Sequence, residues 1–357
     1  MERIKKGDRK FMTTLLHSFN ETERQKEIFV IDLCCGMGGL SLAAKSIGMK
    51  PIIGIDTDTS AIKTYSNNFS EALAFEGDIT DPETIQKVHE HIASVKSDTN
   101  SVIVISGPPC QGFSMAGPRD SSDPRNQVLL AVASAISIIQ PDMALIENVA
   151  LVTGSKNKMW INNLEKSISD AGYEMCHVEL NAKDYGLAQS RRRVFFFITK
   201  KPLDSDEVKE FLQTLYVSPV TVEEILSDLP DAPIRPDKYV DSEDKGNPSN
   251  HFAMRHSNKV KQKIAKIEHG KGPLSYRKLD PNEIAGTLVS GHRAPPAHYL
   301  YSRSITVREA ARLQGFPDNF KVHGVFGNQM TQVTNAVPPP LGVAALKALL
   351  KFARGDI

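Results

Sequence analysis

The residues best placed to do chemistry lie in Gly107-Pro108-Pro109-Cys110-Gln111-Gly112-Phe113-Ser114. A thiolate is soft, polarisable and easily expelled again, so a cysteine at a held backbone position suits nucleophilic catalysis with turnover. An isolated cysteine is more often a small buried hydrophobe, and that alternative stands until the surroundings are weighed. Just before it runs Val102-Ile103-Val104-Ile105-Ser106, an apolar β-branched stretch that predicts a buried parallel strand. Two prolines end the strand by fixing φ and removing ladder donors. Cys110 is thereby predicted at a strand's C-terminal edge, where open α/β sheets bind ligands.

Another predicted strand, residues 142–146, runs into Glu147-Asn148-Val149. Glu147 has a bland reading as a surface acid. It has a chemical one if its strand neighbours the first, because it then lies beside Cys110. Residues 184–193 read as a turn feeding a buried strand over 194–199. The triplet Arg191-Arg192-Arg193 in that turn is usually a solvated face, but one entering a core strand has to point somewhere specific.

The first strand ends carry a binding constellation. A strand over 28–33 enters Cys34-Cys35-Gly36-Met37-Gly38-Gly39 and then a helix over 40–47. Glycines there let backbone amides approach a ligand, a signal that fits nucleotide binders of every kind. No lysine follows in P-loop spacing, which argues against an NTPase. A second strand ends at Asp56, twenty positions after Gly36 and suited to a ribose diol, and a third at Asp78, suited to an adenine amino group. Each acid taken singly is equally a loop-solvating or helix-capping residue.

These ends must be positioned by alternating strands and helices. Helices are expected over 59–69, 126–139 and 161–172, with strands over 72–75 and 174–181. Residues 115–125 form a loop long enough to move over a substrate. Residues 1–27 read as an arm of uncertain order. From 201 to about 299 prolines multiply and apolar runs thin out, suggesting a second small domain. Within it Arg255, Lys259, Lys261, Lys263, Lys266, Lys271, Arg277 and Lys278 outnumber Glu268: a polyanion-facing surface, or a solvated helix face. A capped helix is expected over 305–313, a polar, proline-rich approach over 327–340 and a last helix over 341–352.

Net charge is +1, so any nucleic-acid site must arise from local clustering. The four cysteines, Cys34, Cys35, Cys110 and Cys176, give neither a zinc pattern nor a disulfide framework, which points to a reducing cytoplasm. The chain shows no apolar run of membrane-spanning length and no signal-peptide core at its start.

Taken in order, these stretches resemble the DNA (cytosine-5) methyltransferase family of the bacterial or phage modification type, over residues 29–345. Residues 32–39 resemble its S-adenosylmethionine loop, and 107–114 its Pro-Cys-Gln motif. Glu147-Asn148-Val149 resembles its Glu-Asn-Val motif, and Gln189, Arg191 and Arg193 its Gln-x-Arg-x-Arg. Residues 306–320 are similar to the stretch before its last motif, and Thr334-Asn335-Ala336-Val337-Pro338 to the last motif itself. Six motifs in the family's order are a strong signal.

The resemblance implies an α/β fold with a doubly wound, mostly parallel, Rossmann-like sheet over 28–200. It implies a target-recognition domain over 201–299, with 300–357 completing the catalytic domain. S-adenosylmethionine is the implied cofactor, held at the first strand by Asp32, Leu33, Cys34, Gly36, Gly38 and Gly39. Asp56, Thr57, Asp78 and Ile79 follow, then Pro109, Val128, Asn335 and Val337; no metal is implied. Cys110 is the implied nucleophile at cytosine C6 and Glu147 the group that protonates or hydrogen-bonds N3, its pKa raised by burial. Arg193 is the implied partner of O2, with Arg191 as a support. The base must leave the duplex for this chemistry. Double-stranded DNA is the implied partner, met by Gln111, Ser114 and Arg119 and by Arg255, Lys261 and Lys263. The chain is expected to act as a monomer, and the modification type admits a cognate restriction endonuclease as a further partner.

The chain departs from the family at three places. Cys34-Cys35 replaces Phe-Ala and Thr57 replaces a frequent Trp, which removes aromatic surface near the adenine. Thr334 replaces the Gly that usually opens the last motif. Threonine takes a positive φ only at a cost, so the turn there is ordinary or shifted. The nearest alternative is a tRNA cytosine-5 methyltransferase on the same scaffold, but its Cys-Phe-Thr signature is not found. A cofactor- and DNA-binding regulator without catalysis is the alternative of another class, opposed by Cys110, Glu147 and Arg193. A dehydrogenase would have no role for Cys110 or Glu147.

Overall fold

The β-branched runs of the sequence become the strands of one sheet. The computed structural model describes residues 26–109, 127–236, 248–273, 276–289 and 295–354, which divide into two units. Cys110, Gln111, Ser114, Arg119 and the 115–125 loop lie outside the described residues, as does the 1–25 part of the arm.

The larger unit draws on Leu16–Asn181, Arg192–Tyr216 and Leu341–Ile357. In chain order its elements are β1 (Glu27–Leu33), α1 (Gly39–Ser46), β2 (Lys50–Asp56), α2 (Thr59–Asn68), β3 (Leu73–Glu76), α3 (Pro82–Val95) and β4 (Asn100–Ser106). There follow α4 (Gln127–Ile139), β5 (Met143–Val149), α5 (Lys158–Asp170), β6 (Glu174–Asn181), β7 (Arg192–Thr199) and α6 (Ser205–Thr214). The strands line up as β3-β2-β1-β4-β5-β7-β6. The ladders joining β1 to β5 are parallel, and β7 runs antiparallel to both β5 and β6. The winding reverses between β1 and β4, a topological switch point of the kind that binds ligands at strand C-termini. This is the doubly wound, mostly parallel sheet that the sequence predicts.

Local chemistry sets the helix starts. Asp58 caps α2 by accepting from the Ser60 and Ala61 amides, and Asp81 caps α3 with Pro82 in its first turn. Val30, Ile31, Leu33, Ile53, Ile55, Val104, Ile105, Leu145 and Ile146 are buried between the helical layers. Glu147 lies within β5 rather than after it, and α3 falls where the sequence suggested no helix.

The smaller unit draws on Ala182–Arg191 and Val217–Pro340. It holds α7 (Val222–Leu226), α8 (Asn258–Ala265), α9 (Val307–Leu313) and α10 (Phe326–Asn335). Thr306 and Glu309 form a reciprocal capping box on α9, as its sequence pattern predicts. The compositional boundary at 201–299 and this division do not coincide: residues 201–216 gather with the larger unit and 300–340 with the smaller. The 327–340 stretch, expected to be an irregular approach, contains α10 and the start of α11 (Pro339–Arg354).

Most of α11 returns to the larger unit. Leu341, Ala344, Ala345, Leu346, Ala348 and Leu349 are fully buried. A Cβ at Gly342 would stand 2.8 Å from the Ala43 Cβ of α1, so only glycine permits this approach. By length and composition alone Phe326–Arg354 passes for a membrane span. Yet 78% of its apolar window is buried inside the fold, as in a core helix.

Candidate active site

Strand ends of the larger unit gather several of the residues singled out in the sequence. Parallel pairing of β4 with β5 sets Ser106 opposite Ile146, so Glu147 borders the exit toward Cys110. In the antiparallel pair β5–β7, Val149 faces Arg193 and Glu147 faces Phe195. Glu147 and Arg193 are therefore diagonal neighbours on one face, within reach of long side chains. The Arg193 Nε donates to Glu147 Oε1 at 2.8 Å, with only 8% of the Glu147 side chain exposed. This burial rules out the surface-acid reading. The same geometry gives one arginine of the triplet a specific target. Arg192, by contrast, pairs with Glu179 at the surface.

At the β1 and β2 ends the backbone closes around Asp56. Its Oδ2 accepts from the Gly36 amide at 2.8 Å and its Oδ1 from the Asp58 amide at 3.0 Å. Burial pushes this carboxyl above its ordinary range. A carboxylate has about four lone-pair sites, so acceptor capacity remains for a hydroxyl donor. Gly36 has φ +52, and a Cβ added there would meet nothing within 4 Å, so the loop borders open space. Gly38, at φ +93, is different: a Cβ there would meet the Phe69 ring at 2.4 Å. Gly36 thus faces outward, whereas Gly38 makes room for the protein's own aromatic pair, Tyr65 and Phe69. Asp78 is exposed and accepts from both the amide and the hydroxyl of Thr80 at 2.8 Å. Ile79 is buried, Thr57 and Pro109 are exposed, and Val128 is half-buried against the core.

Asp32 turns inward. It is 1% exposed, accepts from the Ser41 hydroxyl at 2.6 Å, and that hydroxyl meets the Tyr65 phenol at 2.8 Å. Burial raises its carboxyl to about 7. Its place is inside the loop's foundation, next to Leu33, which is fully buried. Cys34 holds a left-handed φ of 62°, a strained conformation for a side chain with a Cβ. Burial pushes the Cys34 and Cys35 thiols well up and Cys176 to about 11. No described cysteine is therefore a ready thiolate.

The smaller unit holds the other motif residues in a buried polar network. Gln189 is fully buried; its Nε2 donates to Leu313 O and Gln314 Oε1, and its Oε1 accepts from the Leu288 amide. Gln314 donates onward to Val333 O at 2.7 Å. Arg191, 1% exposed, donates to the carbonyls of Leu288, Asn335 and Ala336, at 3.1 Å in the last case. The Gln-x-Arg pair and the last motif, 145 residues apart, are thus one assembly. Asn335 is exposed and Val337 buried within it. Thr334 lies in α10 and bonds back to Met330 O at 2.9 Å, so its backbone is ordinary helix and not a shifted turn.

Sequence reasoning missed a second cluster here. Arg303 donates both terminal nitrogens to Glu309, at 2.9 and 2.8 Å, and its Nε to Asp231 at 3.1 Å. His298 lies 3.6 Å from Glu309, and burial lowers its imidazole to about 4. The signal was present in Thr306-Val307-Arg308-Glu309, whose glutamate serves the cap and Arg303 at once. On α8, Lys259, Lys261 and Lys263 are exposed, as is Lys266 at its C-cap, while Ile264 is buried, a basic outer face; Arg255 is exposed just before the Ser257 cap.

These features agree with comparisons to known proteins. A model of C-5 cytosine-specific DNA methylases matches residues 28–351. The chain is 33% identical over 368 aligned residues to Type II methyltransferase M.DdeI of Desulfomicrobium norvegicum, covering 88% of this chain and 86% of that protein. A solved E. coli prophage protein, described as a DNA modification methyltransferase, superposes with TM-score 0.75 at 30% identity, over 91% of this chain and 99% of the other. Dnmt2 of S. pombe superposes with TM-score 0.62 at 17% identity, over 91% and 98% of the two chains, a likeness of fold alone. With the strand-end site and the ordered motifs, this match over nearly the whole sequence makes the chain a member of the C-5 cytosine-specific DNA methylase family and a DNA cytosine-5 methyltransferase.

Proposed function

We propose that the protein methylates C5 of a flipped-out cytosine in double-stranded DNA, using S-adenosylmethionine and a transient bond from the Cys110 sulfur to C6. The observation that carries this reading is the Glu147–Arg193 pair, set on the two strands that follow β4 in the sheet. The donor set at β1 and β2 fits the cofactor: Asp56 offers acceptors for a ribose diol, and Gly36 leaves open space beside them. Asp78, Asn335 and Val337 are assigned to the same cofactor. Bound there, S-adenosylmethionine supplies an electrophilic methyl on a sulfonium.

The chain's residues supply the rest. Cytosine C5 is a poor nucleophile until something adds at C6, and Cys110 as thiolate makes that addition. Electron density must then move toward N3, where Glu147 donates a proton or hydrogen bond. Arg193 holds O2, while Arg191 braces the segment that leads into β7. Once C5 carries the methyl, loss of its proton to solvent restores the C5–C6 double bond and expels Cys110 as thiolate. The reacting atoms are inaccessible in a stacked duplex, so the base leaves the helix at a cost of a few kcal/mol. Lys261 and Lys263 on α8, with Arg255, supply phosphate contacts; Gln111, Ser114 and Arg119 are assigned to the DNA near the extruded base. We keep a monomer and a cognate restriction endonuclease as the expected working context.

Bisulfite sequencing of DNA from cells expressing the wild type and Cys110→Ser tests this directly. Methylcytosine at one recurring sequence context is expected from the wild type alone. Equal methylation by Cys110→Ser would eliminate the covalent route.

A further inference from the structure

The ladder between β4 and β5 stops at Ser106 and Ile146. Gly107, Pro108 and Pro109 follow, and the prolines have no N–H with which to extend it. Two side chains hold the strand end instead. On the β1 side, the fully buried Ser106 hydroxyl donates to the Leu33 carbonyl, directly before left-handed Cys34. On the β5 side, Asn148 is 1% exposed, and its Nδ2 donates to the Pro108 carbonyl at 3.3 Å. Its Oδ1 accepts from the Val149 amide at 2.9 Å, which fixes the orientation of the amide group.

We infer that Ser106 and Asn148 are positioning residues for the nucleophile, a two-sided clamp on the backbone leading to Cys110. The inference rests on Cys110 being that nucleophile. Asn148 follows Glu147 in the same strand, so the residue that pins Pro108 and the residue that serves N3 share one rigid frame. Ser106 ties that frame to the end of β1 at the Leu33 carbonyl. Covalent addition is steep in distance: a misplacement of about 1 Å costs about 10²-fold in rate. A backbone that lacks ladder donors and carries the attacking sulfur is where such a clamp has most to do.

The test uses DNA amplified with 5-fluoro-dCTP in place of dCTP, so that every recognition site carries a target that blocks the final proton loss. The formation rate of SDS-resistant complex is read in the presence of S-adenosylmethionine, and cofactor affinity is measured by calorimetry. Asn148→Asp keeps the shape and removes the donor; Ser106→Ala removes the hydroxyl and Ser106→Thr restores it. Asn148→Asp and Ser106→Ala should slow complex formation about tenfold or more, with cofactor affinity within about twofold, and Ser106→Thr should recover the rate. If Asn148→Asp fails to fold, the serine pair decides alone. Wild-type rates in both variants would overturn the clamp and leave Cys110 as the nucleophile. Parallel losses of rate and cofactor affinity, or no recovery in Ser106→Thr, would also overturn it. No resistant complex from the wild type would overturn the Cys110 reading and the clamp with it.

Discussion

Arg191 and Arg193 stand two residues apart in one motif and belong to different units. Arg193 meets a carboxylate at the edge of a sheet, with 14% of its side chain exposed. Arg191 is wholly enclosed and donates to three backbone carbonyls. The first arrangement is an ion pair at a strand edge, with part of the arginine open to solvent. The second joins Leu288 to the end of α10 at Asn335 and Ala336. Two arginines of one motif are thus held in different ways, one by a carboxylate and one by backbone carbonyls.

The largest effect expected from this contrast is catalytic. Glu147→Gln should lower methyl transfer by about 10²- to 10⁴-fold while leaving the thermal midpoint near the wild type, since a proton donor is lost and the volume kept. Transfer of labelled methyl to DNA, followed beside a melting curve, checks it. A large drop in midpoint with modest loss of turnover would move Glu147 into the bracing class. Next comes the mirror experiment. Arg191→Met should destabilise folding by about 2–4 kcal/mol, because three carbonyls lose one shared, buried donor. Denaturant unfolding reads this. A variant as stable as the wild type, yet inactive, would place Arg191 in the chemistry.

The two units also differ in how pH acts on them. Asp32, raised to about 7 against an ordinary value near 3.9, keeps a proton that the unfolded chain releases. Its contribution to stability is complete below about pH 4 and is lost as pH rises to about 7. His298, lowered to about 4 against 6.5, behaves in the opposite way. Its contribution is complete above about pH 6.5 and is lost as pH falls to about 4. Glu309, Arg303, Asp231 and His251 are the charged or titratable groups acting on it. Asp32→Asn should remove a loss on the alkaline limb, and His298→Asn a loss on the acid limb, of unfolding free energy measured against pH. Identical pH profiles in the two variants would refute this opposition.

The smallest effect concerns the outer surface. Lys261→Glu with Lys263→Glu should leave stability within about 0.5 kcal/mol and weaken DNA binding for all sequences alike. The slope of log affinity against log salt should flatten by about one for each lost phosphate contact. An unchanged slope would return α8 to being a solvated face.

Much of this architecture was legible in the sequence because local rules decide it. Buried parallel strands need apolar runs rich in β-branched residues, and residues 28–33 and 102–106 supply them. Pro108 and Pro109 announce a strand end, and Thr306 with Glu309 announces a helix start. The rest depends on contacts that close only in three dimensions. The polar sequence of α10 shows little helix preference; Gln329 and Gln332 bury their amides against Val322 and His323 carbonyls and hold it in place. The roles of Gly36 and Gly38 differ because Phe69, thirty-one residues beyond Gly38, occupies the space beside only one of them. The sequence pattern ends a strand just before Glu147, whereas pairing with β7 extends β5 through Val149.

The order in which the chain is made has a consequence here. Helix α11 packs Gly342 against Ala43 of α1 and fills the larger unit's core with Leu341, Leu346 and Leu349. On the ribosome, α1 emerges some three hundred residues before the helix that covers it. At about 5–20 residues per second, its apolar face waits of the order of 15–60 s for that partner. The nascent larger unit is thus exposed to chaperones and proteases for nearly the whole of translation, while the smaller unit's segments are synthesised inside that interval. Slowing elongation before α11 should therefore lower the soluble yield of this enzyme.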